Sequence, residues 1–257
     1  MNRDHFGGPF SKNSLPAWHC PTCGDGVLAL EPNSLRKEET RDSKNARSHD
    51  AWEPDWIHSR FDAVLRCGSP NCRDVVMLLG HTEWFEYYDE EHGQNIEEAL
   101  MPTYFEPPVM PIQIPRECPE AVRNSVSVAA QLLWTNPPAA GNALRTALEA
   151  LLSHKKILQR GKDRKGKSFS LKLHARIELF QKKEPRIGEI LLAIKWLGNV
   201  GSHSNELSKK DVLDGFELLE HALEEMFLQR TVKLTRLTKQ IIKRKGPTPV
   251  KRGKRRR

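Results

Sequence analysis

The sequence contains no apolar run long enough to cross a bilayer, which excludes a membrane-spanning helix. Residues 1–12 are polar and glycine-containing, with no apolar h-region, so no secretory signal is expected there. Cysteine is scarce and odd in number, five among 257 residues. That count argues against a disulfide framework and for a reducing, cytoplasmic setting. Two stretches lack one sign of charge altogether. Residues 241–257 hold no acid, and residues 81–106 hold no lysine or arginine. What remains, 38% hydrophobic and 29% charged, is enough for one or two globular domains carrying solvated segments.

Four of the five cysteines fall in two tight pairs, Cys20-Pro-Thr-Cys23 and Cys67-Gly-Ser-Pro-Asn-Cys72. Each pair sits among turn-forming residues that let the backbone fold back around one ion. Two such knuckles supply four thiolates, which suits tetrahedral Zn²⁺ and leaves no position for a substrate. The site is therefore read as structural. Reduced, unconnected thiols and two disulfides are the alternatives, and His19 is the alternative to one thiolate. The pairs are 43 residues apart (24–66), so a loop is expected to project between them. Cys118 has no partner in sequence and reads as a small buried residue at a helix start.

The net charge of +8 sits at the end of the chain. Lys243, Arg244, Lys245, Lys251, Arg252, Lys254, Arg255, Arg256 and Arg257 are nine cations, and the rest of the chain is close to neutral. A segment of this kind cannot build a core; it reads as a disordered basic tail (241–257) able to bind any polyanion. A solubilising end without a ligand is the plain alternative. A second basic stretch, 155–172, includes Lys156, Arg160, Lys162, Arg164, Lys165 and Lys167. Together the two are expected to bind nucleic acid, RNA or DNA, without reading sequence. The acidic residues of 81–106 could face these segments or keep a polyanion to one side.

The period of the chain changes near residue 110. Residues 27–30, 60–66, 75–79 and 84–88 read as strands, and 32–58 as the projecting loop. Four prolines within 107–115 make an extended, semi-rigid connector. Helical stripes follow: Val122, Val126, Ala129 and Leu133 after Pro119, then Ala140, Leu144, Leu148 and Leu151 after Asn136-Pro-Pro. Residues 159–169 read as a loop and 171–181 as a third helix. Ile187, Ile190, Ile194 and Leu197 mark a fourth. Ser208-Lys-Lys-Asp211 resembles a capping box before a long fifth helix through Met226. The expected fold is α+β and mainly α. A zinc-stapled β segment (1–106) is joined by a Pro-rich linker (107–117) to a helical bundle (118–240). Loss of the zinc site is then expected to unfold the first part and leave the bundle standing.

Lys195, Asn199 and His203 lie four residues apart around Gly198 and Gly201. If the helix runs through both glycines they share one face, and a cation, an amide and an imidazole could hold a phosphate and move a proton. If Gly201 ends the helix, Asn199 and Ser202 are caps and His203 is a polar end. By periodicity and chemistry alone, termination is the more ordinary outcome.

The stretch Ala139-Ala-Gly-Asn-Ala-Leu-Arg-Thr-Ala-Leu-Glu-Ala-Leu-Leu152, followed by Gly198-Asn-Val-Gly-Ser-His203, resembles the prokaryotic family known as domain of unknown function 4145. The resemblance covers about 118–230. It implies a HEPN-like helical bundle, a homodimer, and a place in restriction, abortive-infection or toxin systems, often as a metal-independent ribonuclease. The HEPN signature couples an Arg, commonly followed by Asn, to a nearby His. Asn199 and His203 match the Asn-x-x-x-His part, while Gly198 occupies the place of the Arg. Arg145 and Glu149 match the family's pair on the second helix, and read plainly as a surface ion pair. The resemblance thus implies two functions. One is a non-catalytic, zinc-containing protein that binds nucleic acid or a partner. The other is a ribonuclease in which His203, Asn199, Lys195 and Arg145 act on RNA. An interaction scaffold is a third.

Overall fold

The computed structural model describes residues 1–89, 93–203, 206–228 and 230–247. A short helix α1 (Asp4–Gly7) precedes the first cysteine knuckle. Then come β1 (Leu28–Leu30), β2 (Arg36–Glu39), α2 (Arg41–Ala46) and three long strands, β3 (Ser59–Cys67), β4 (Val75–Asp89) and β5 (Gly93–Glu106). Residues 32–58 therefore hold a strand and a capped helix where a loop was expected. The Thr40 side chain accepts from the Ser43 N–H to start α2.

All pairing is antiparallel, and β3 is central. β1 and β2 share one edge of it, with Leu28 opposite Cys67 and Arg36 opposite Asp62, and β4 lies on the other. Alternation along β3 buries Phe61, Ala63 and Leu65 and leaves Asp62, Val64 and Arg66 half-buried, as a strand with one core face must. The two short strands expected at 75–79 and 84–88 are one strand. Its register shifts between Leu79 and Gly80. A side chain at Gly80 would meet the Met101 carbonyl at 2.3 Å and the Phe61 ring at 2.6 Å, so only glycine allows the sheet to bend there. The result is a small curled half-barrel. β3 pairs with β4 only as far as His81, so β4 and β5 continue beyond it as a two-stranded hairpin.

The helical part holds α3 (Glu120–Leu132), α4 (Pro137–His154), α5 (Leu173–Gln181), α6 (Pro185–His203) and α7 (Lys209–Leu223). A small hairpin, β6 (Arg160–Lys162) with β7 (Ser168–Ser170), lies between α4 and α5. It replaces the loop expected at 159–169. A π-turn (Glu224–Leu228) leads into α8 (Arg230–Arg244). The end signals behave as read. Asn136 accepts from the Ala139 N–H at the start of α4, and Ser208 with Asp211 forms the capping box of α7. Pro119 is the cap of α3 rather than its first residue. α4 is central to the bundle; Leu144, Leu148, Leu151 and Leu152 are fully buried with Ile177, Leu191 and Phe216.

The two parts share one core, so the bundle is packed directly against the zinc-bearing part. Trp134, just after α3, stands 4.8 Å from the Phe105 ring, 5.7 Å from Phe6 and 6.3 Å from Trp18. Val109 and Ile112 of the Pro-rich segment are buried in the same core. At the chain start, the Met1 ammonium lies 3.4 Å from Glu220, and Arg3 pairs with Asp214 and Glu217 of α7. The tail also differs from expectation at its beginning. α8 extends through Arg244, so part of 241–257 is helical, while residues 248–257 lie outside the described residues. No helix among the described residues is long and apolar enough to cross a membrane.

Candidate functional site

The cysteine knuckles come together at the base of the half-barrel. In the first, the Gly24 N–H donates to the Cys20 carbonyl (2.8 Å) and the Gly26 N–H to Cys23 Sγ (3.3 Å). In the second, Cys67 ends β3, and the Cys72 N–H donates to the Ser69 carbonyl (3.1 Å). Pairing of Leu28 with Cys67 brings one knuckle to the other. Gly26 makes the approach possible, since a Cβ there would lie 2.2 Å from Cys67 Sγ.

The four sulfurs lie within 4.8 Å of one another, Cys20–Cys72 at 3.9 Å and Cys23–Cys67 at 3.7 Å. Tetrahedral zinc with Zn–S bonds near 2.3 Å requires sulfurs about 3.8 Å apart. Disulfides require about 2.05 Å, and all five cysteines are free thiols. His19 is outside the cluster. The thiols resist ionising together. Backbone N–H groups of Gly26 and Asp25 draw Cys23 down to about 7. Burial pushes Cys67 up. At Cys72 the Asp74 backbone bond pulls downward, but burial and the three neighbouring thiols outweigh it and lift the group to about 12. A divalent cation removes that conflict by binding all four as thiolates. Four protein ligands leave no open position, so Cys20, Cys23, Cys67 and Cys72 form a structural zinc site. Cys118 is buried, and burial raises its thiol to about 11, as suits a packing residue.

The second constellation rests on the crossing of α4 and α6. α6 does not stop at Gly198 or Gly201; it runs to His203. Its backbone therefore places Lys195, Asn199 and His203 on successive turns. The His203 side chain lies outside the described residues. At Gly198 an added Cβ would meet Cγ and Cδ of Arg145 at 2.5 Å and the Gly141 carbonyl at 2.6 Å. Position 198 thus admits no side chain, and the stem of Arg145 covers it. Arg145 Nη1 donates to Asn142 Oδ1 at 3.3 Å. Lys195 is buried, with its ammonium 3.2 Å from the centroid of the Trp196 ring. Burial lowers its pKa, and the charge of Arg145 lowers it further. Two cations held close in this way favour an anion between or beside them. Asn199 is half-buried one turn on.

The two basic segments form a third feature. The hairpin β6–β7 turns over Asp163, whose carboxylate accepts from the N–H groups of Lys165 (2.9 Å) and Lys167 (2.8 Å). Arg160, Lys162, Arg164, Lys165 and Lys167 are exposed on it. At the end of α4, His154 stacks 5.8 Å from Phe227, and the Lys155 ammonium lies 4.8 Å from the same ring. Phe227 lies in the π-turn that leads into α8. Hairpin and basic helix therefore leave the bundle from one end. Sequence reasoning found both charges but not this contact, which depends on residues 72 apart in the chain.

Two family models match the chain. Residues 8–105 match a domain of unknown function, DUF8608, and residues 127–245 match a second domain of unknown function, DUF4145. The first match contains all four zinc ligands. The second is the family whose likeness 139–152 and 198–203 carry, and it extends through α8. No curated protein and no solved structure matches.

Proposed function

We propose that this protein is a non-catalytic, zinc-stapled binder of nucleic acid that recognises the phosphate backbone and not the sequence. The observation that carries this reading is the meeting of His154 and Lys155 with Phe227, which sets the basic hairpin and α8 at one pole. Each cation there that meets a phosphate releases condensed counterions, the general source of affinity without specificity. The HEPN-like identity of the bundle, a place in a prokaryotic defence system and a homodimer through 118–230 follow from the family resemblance. The dimer has support in the exposed Trp196 (53%) and Val200 (44%) on α6. Light scattering of the chain truncated after Leu228 reads the bundle dimer, which a monomer at tens of micromolar contradicts.

Fluorescence anisotropy with a labelled duplex and a labelled single strand tests the binding reading. Deleting residues 230–257 removes the helix and tail and is expected to weaken binding at least about 100-fold near 0.1 M salt, with a flatter log–log salt dependence. Lys162→Glu with Lys165→Glu should weaken it further. Unchanged affinity and slope in both variants would remove the basic pole from the function.

A second reading, a metal-independent ribonuclease, has one specific support: the unbroken α6 and the stem of Arg145 over Gly198. In it His203 takes the proton of a ribose 2′-hydroxyl, Asn199 orients the phosphate, and Arg145 and Lys195 hold the developing negative charge. It requires chelator-resistant cleavage that leaves a 2′,3′-cyclic phosphate and falls at least about 100-fold in His203→Ala. The binding reading expects no such cleavage, and equal nucleic-acid affinity for wild type and His203→Ala.

A further inference from the structure

α8 has two faces, and both are open. Every residue from Val232 to Lys245 is exposed, with Leu234 at 53% and Ile242 at 68%. At about 100° per residue, Leu234, Leu237, Thr238, Ile241 and Ile242 fall within one arc of about 140°. Thr238 does not interrupt that arc, because its hydroxyl donates to the Leu234 carbonyl of the same helix at 2.9 Å. Lys233, Arg236, Lys239, Lys243 and Arg244 fill an arc of about 140° on the other side. Val232 is the one large apolar residue among them. A continued helix would put Lys245 in the middle of the apolar arc. The helix ends before it, at Arg244, and Lys245 turns into the left-handed region with φ 51°.

An apolar arc opposite a cationic one, with no acid after Glu225, is the pattern of a helix that lies in the surface of an anionic bilayer. A nucleic acid would meet the cations and leave the apolar arc wet. A bilayer meets both along the about 22 Å of the helix, acyl chains below and phosphates beside. Lys233 and Arg244 flank Leu237 at one border of the arc, where long cationic side chains reach up to phosphates. α8 is not long and apolar enough to cross a bilayer, so it can only lie along one. The same mixture recurs in the hairpin that leaves the bundle from the same end. Leu158 (65%) and Phe169 (48%) are exposed there beside Arg160, Lys162 and Lys167. Its one acid, Asp163, accepts from two backbone N–H groups. Two separate elements of one chemistry at one pole suit an extended surface. The chain also has an exposed apolar surface beside acids, Met77, Leu79 and Tyr104 with Asp62 and Glu106. Those two acids are already engaged, Asp62 by Arg36 (2.7 Å) and Glu106 by the Tyr104 hydroxyl (3.0 Å), whereas α8 carries six cations.

We propose that α8 is an amphipathic anchor for bilayers containing anionic phospholipid. Leu234, Leu237, Ile241 and Ile242 enter the boundary between headgroups and acyl chains, and the cations of the helix meet the phosphates. This goes beyond nucleic-acid binding, because it uses the apolar arc that a polyanion leaves in water. The cations serve either partner, so a bilayer and a nucleic acid compete for α8.

The test is co-flotation of the full-length chain with lipid vesicles, with circular dichroism to confirm the fold of each variant. Vesicles of phosphatidylcholine with about one-third phosphatidylglycerol should carry the protein up the gradient, and phosphatidylcholine alone at least about tenfold less. Leu237→Gln with Ile241→Gln keeps every charge, alters exposed positions only and retains good helix formers. It is expected to weaken vesicle binding at least about tenfold and to leave the affinity for a labelled nucleic acid unchanged. Thr238→Leu, in the middle of the arc, should tighten vesicle binding. A wild-type chain that does not float overturns the proposal. So does flotation that neither variant changes, because the cations alone would then hold the surface as they hold any polyanion. Sedimentation velocity covers the remaining occupant. Self-association of the wild type that is lost in Leu237→Gln with Ile241→Gln would assign the arc to a second copy and overturn the proposal as well.

Discussion

Cys67→Ser will release the zinc and lower the melting temperature of the whole chain, helices included. Cys67 is fully buried, and its sulfur is 3.7 Å from that of Cys23. A serine there gives the ion three thiolates and a poor fourth ligand. Structural zinc contributes roughly 10–16 kcal/mol in small zinc peptides, comparable with or above the roughly 5–15 kcal/mol that stabilises an ordinary domain. Even a partial loss of about 4 kcal/mol would lower Tm by roughly 8–16 °C in a chain of this size. The bundle follows because Trp18, two residues before Cys20, packs against Phe105 and Trp134. Once the knuckle loosens, the aromatic junction loses its floor. Zinc release read with a colorimetric chelator, beside helix content read at 222 nm, should give coincident transitions in the wild type and a common shift in the variant. A helical transition at the wild-type temperature would show that the parts melt separately.

Gly198→Ala is expected to destabilise the protein by about 2 kcal/mol or more, although alanine is the better helix former. In an exposed helix interior the same change gains about 0.5–1 kcal/mol. Here the new methyl would lie 2.6 Å from the Gly141 carbonyl, and backbone cannot swing aside as the Arg145 stem can. α4 and α6 would have to separate, an overpacking that costs about 1–3 kcal/mol or more. The sign of the change is the test. A denaturant midpoint that rises in Gly198→Ala would mean that the helices do not cross there. Gly198→Arg, with a far larger side chain at the same crossing, should fold worse still.

Much of this was legible in the residues. The Cys20–Cys23 and Cys67–Cys72 spacings state a four-thiolate site, because a knuckle is a local turn and its geometry is set by adjacent residues. Asn136 and the Ser208–Asp211 capping box are local for the same reason, as are the apolar stripes of α3, α4 and α7. β2 was not legible. Arg36-Lys-Glu-Glu39 carries no alternation, and only its pairing to β3 makes it a strand. Nor was β4 legible as one strand, since Gly80 and its bulge interrupt the period at the point where Phe61 and Met101 press closest.

The sequence by itself determined the metal ligands, the caps of α4 and α7 and where the charges fall. The tertiary structure decided that α6 runs through two glycines, because packing on α4 requires a bare backbone at Gly198 and offsets the helix propensity lost there. It also decided that Trp134 welds sheet to bundle, and that the hairpin and α8 share a pole through Phe227. Turns and caps involve neighbours in the chain, so spacing reveals them. Close approach between distant segments is settled by which surfaces bury each other, and no local pattern records that.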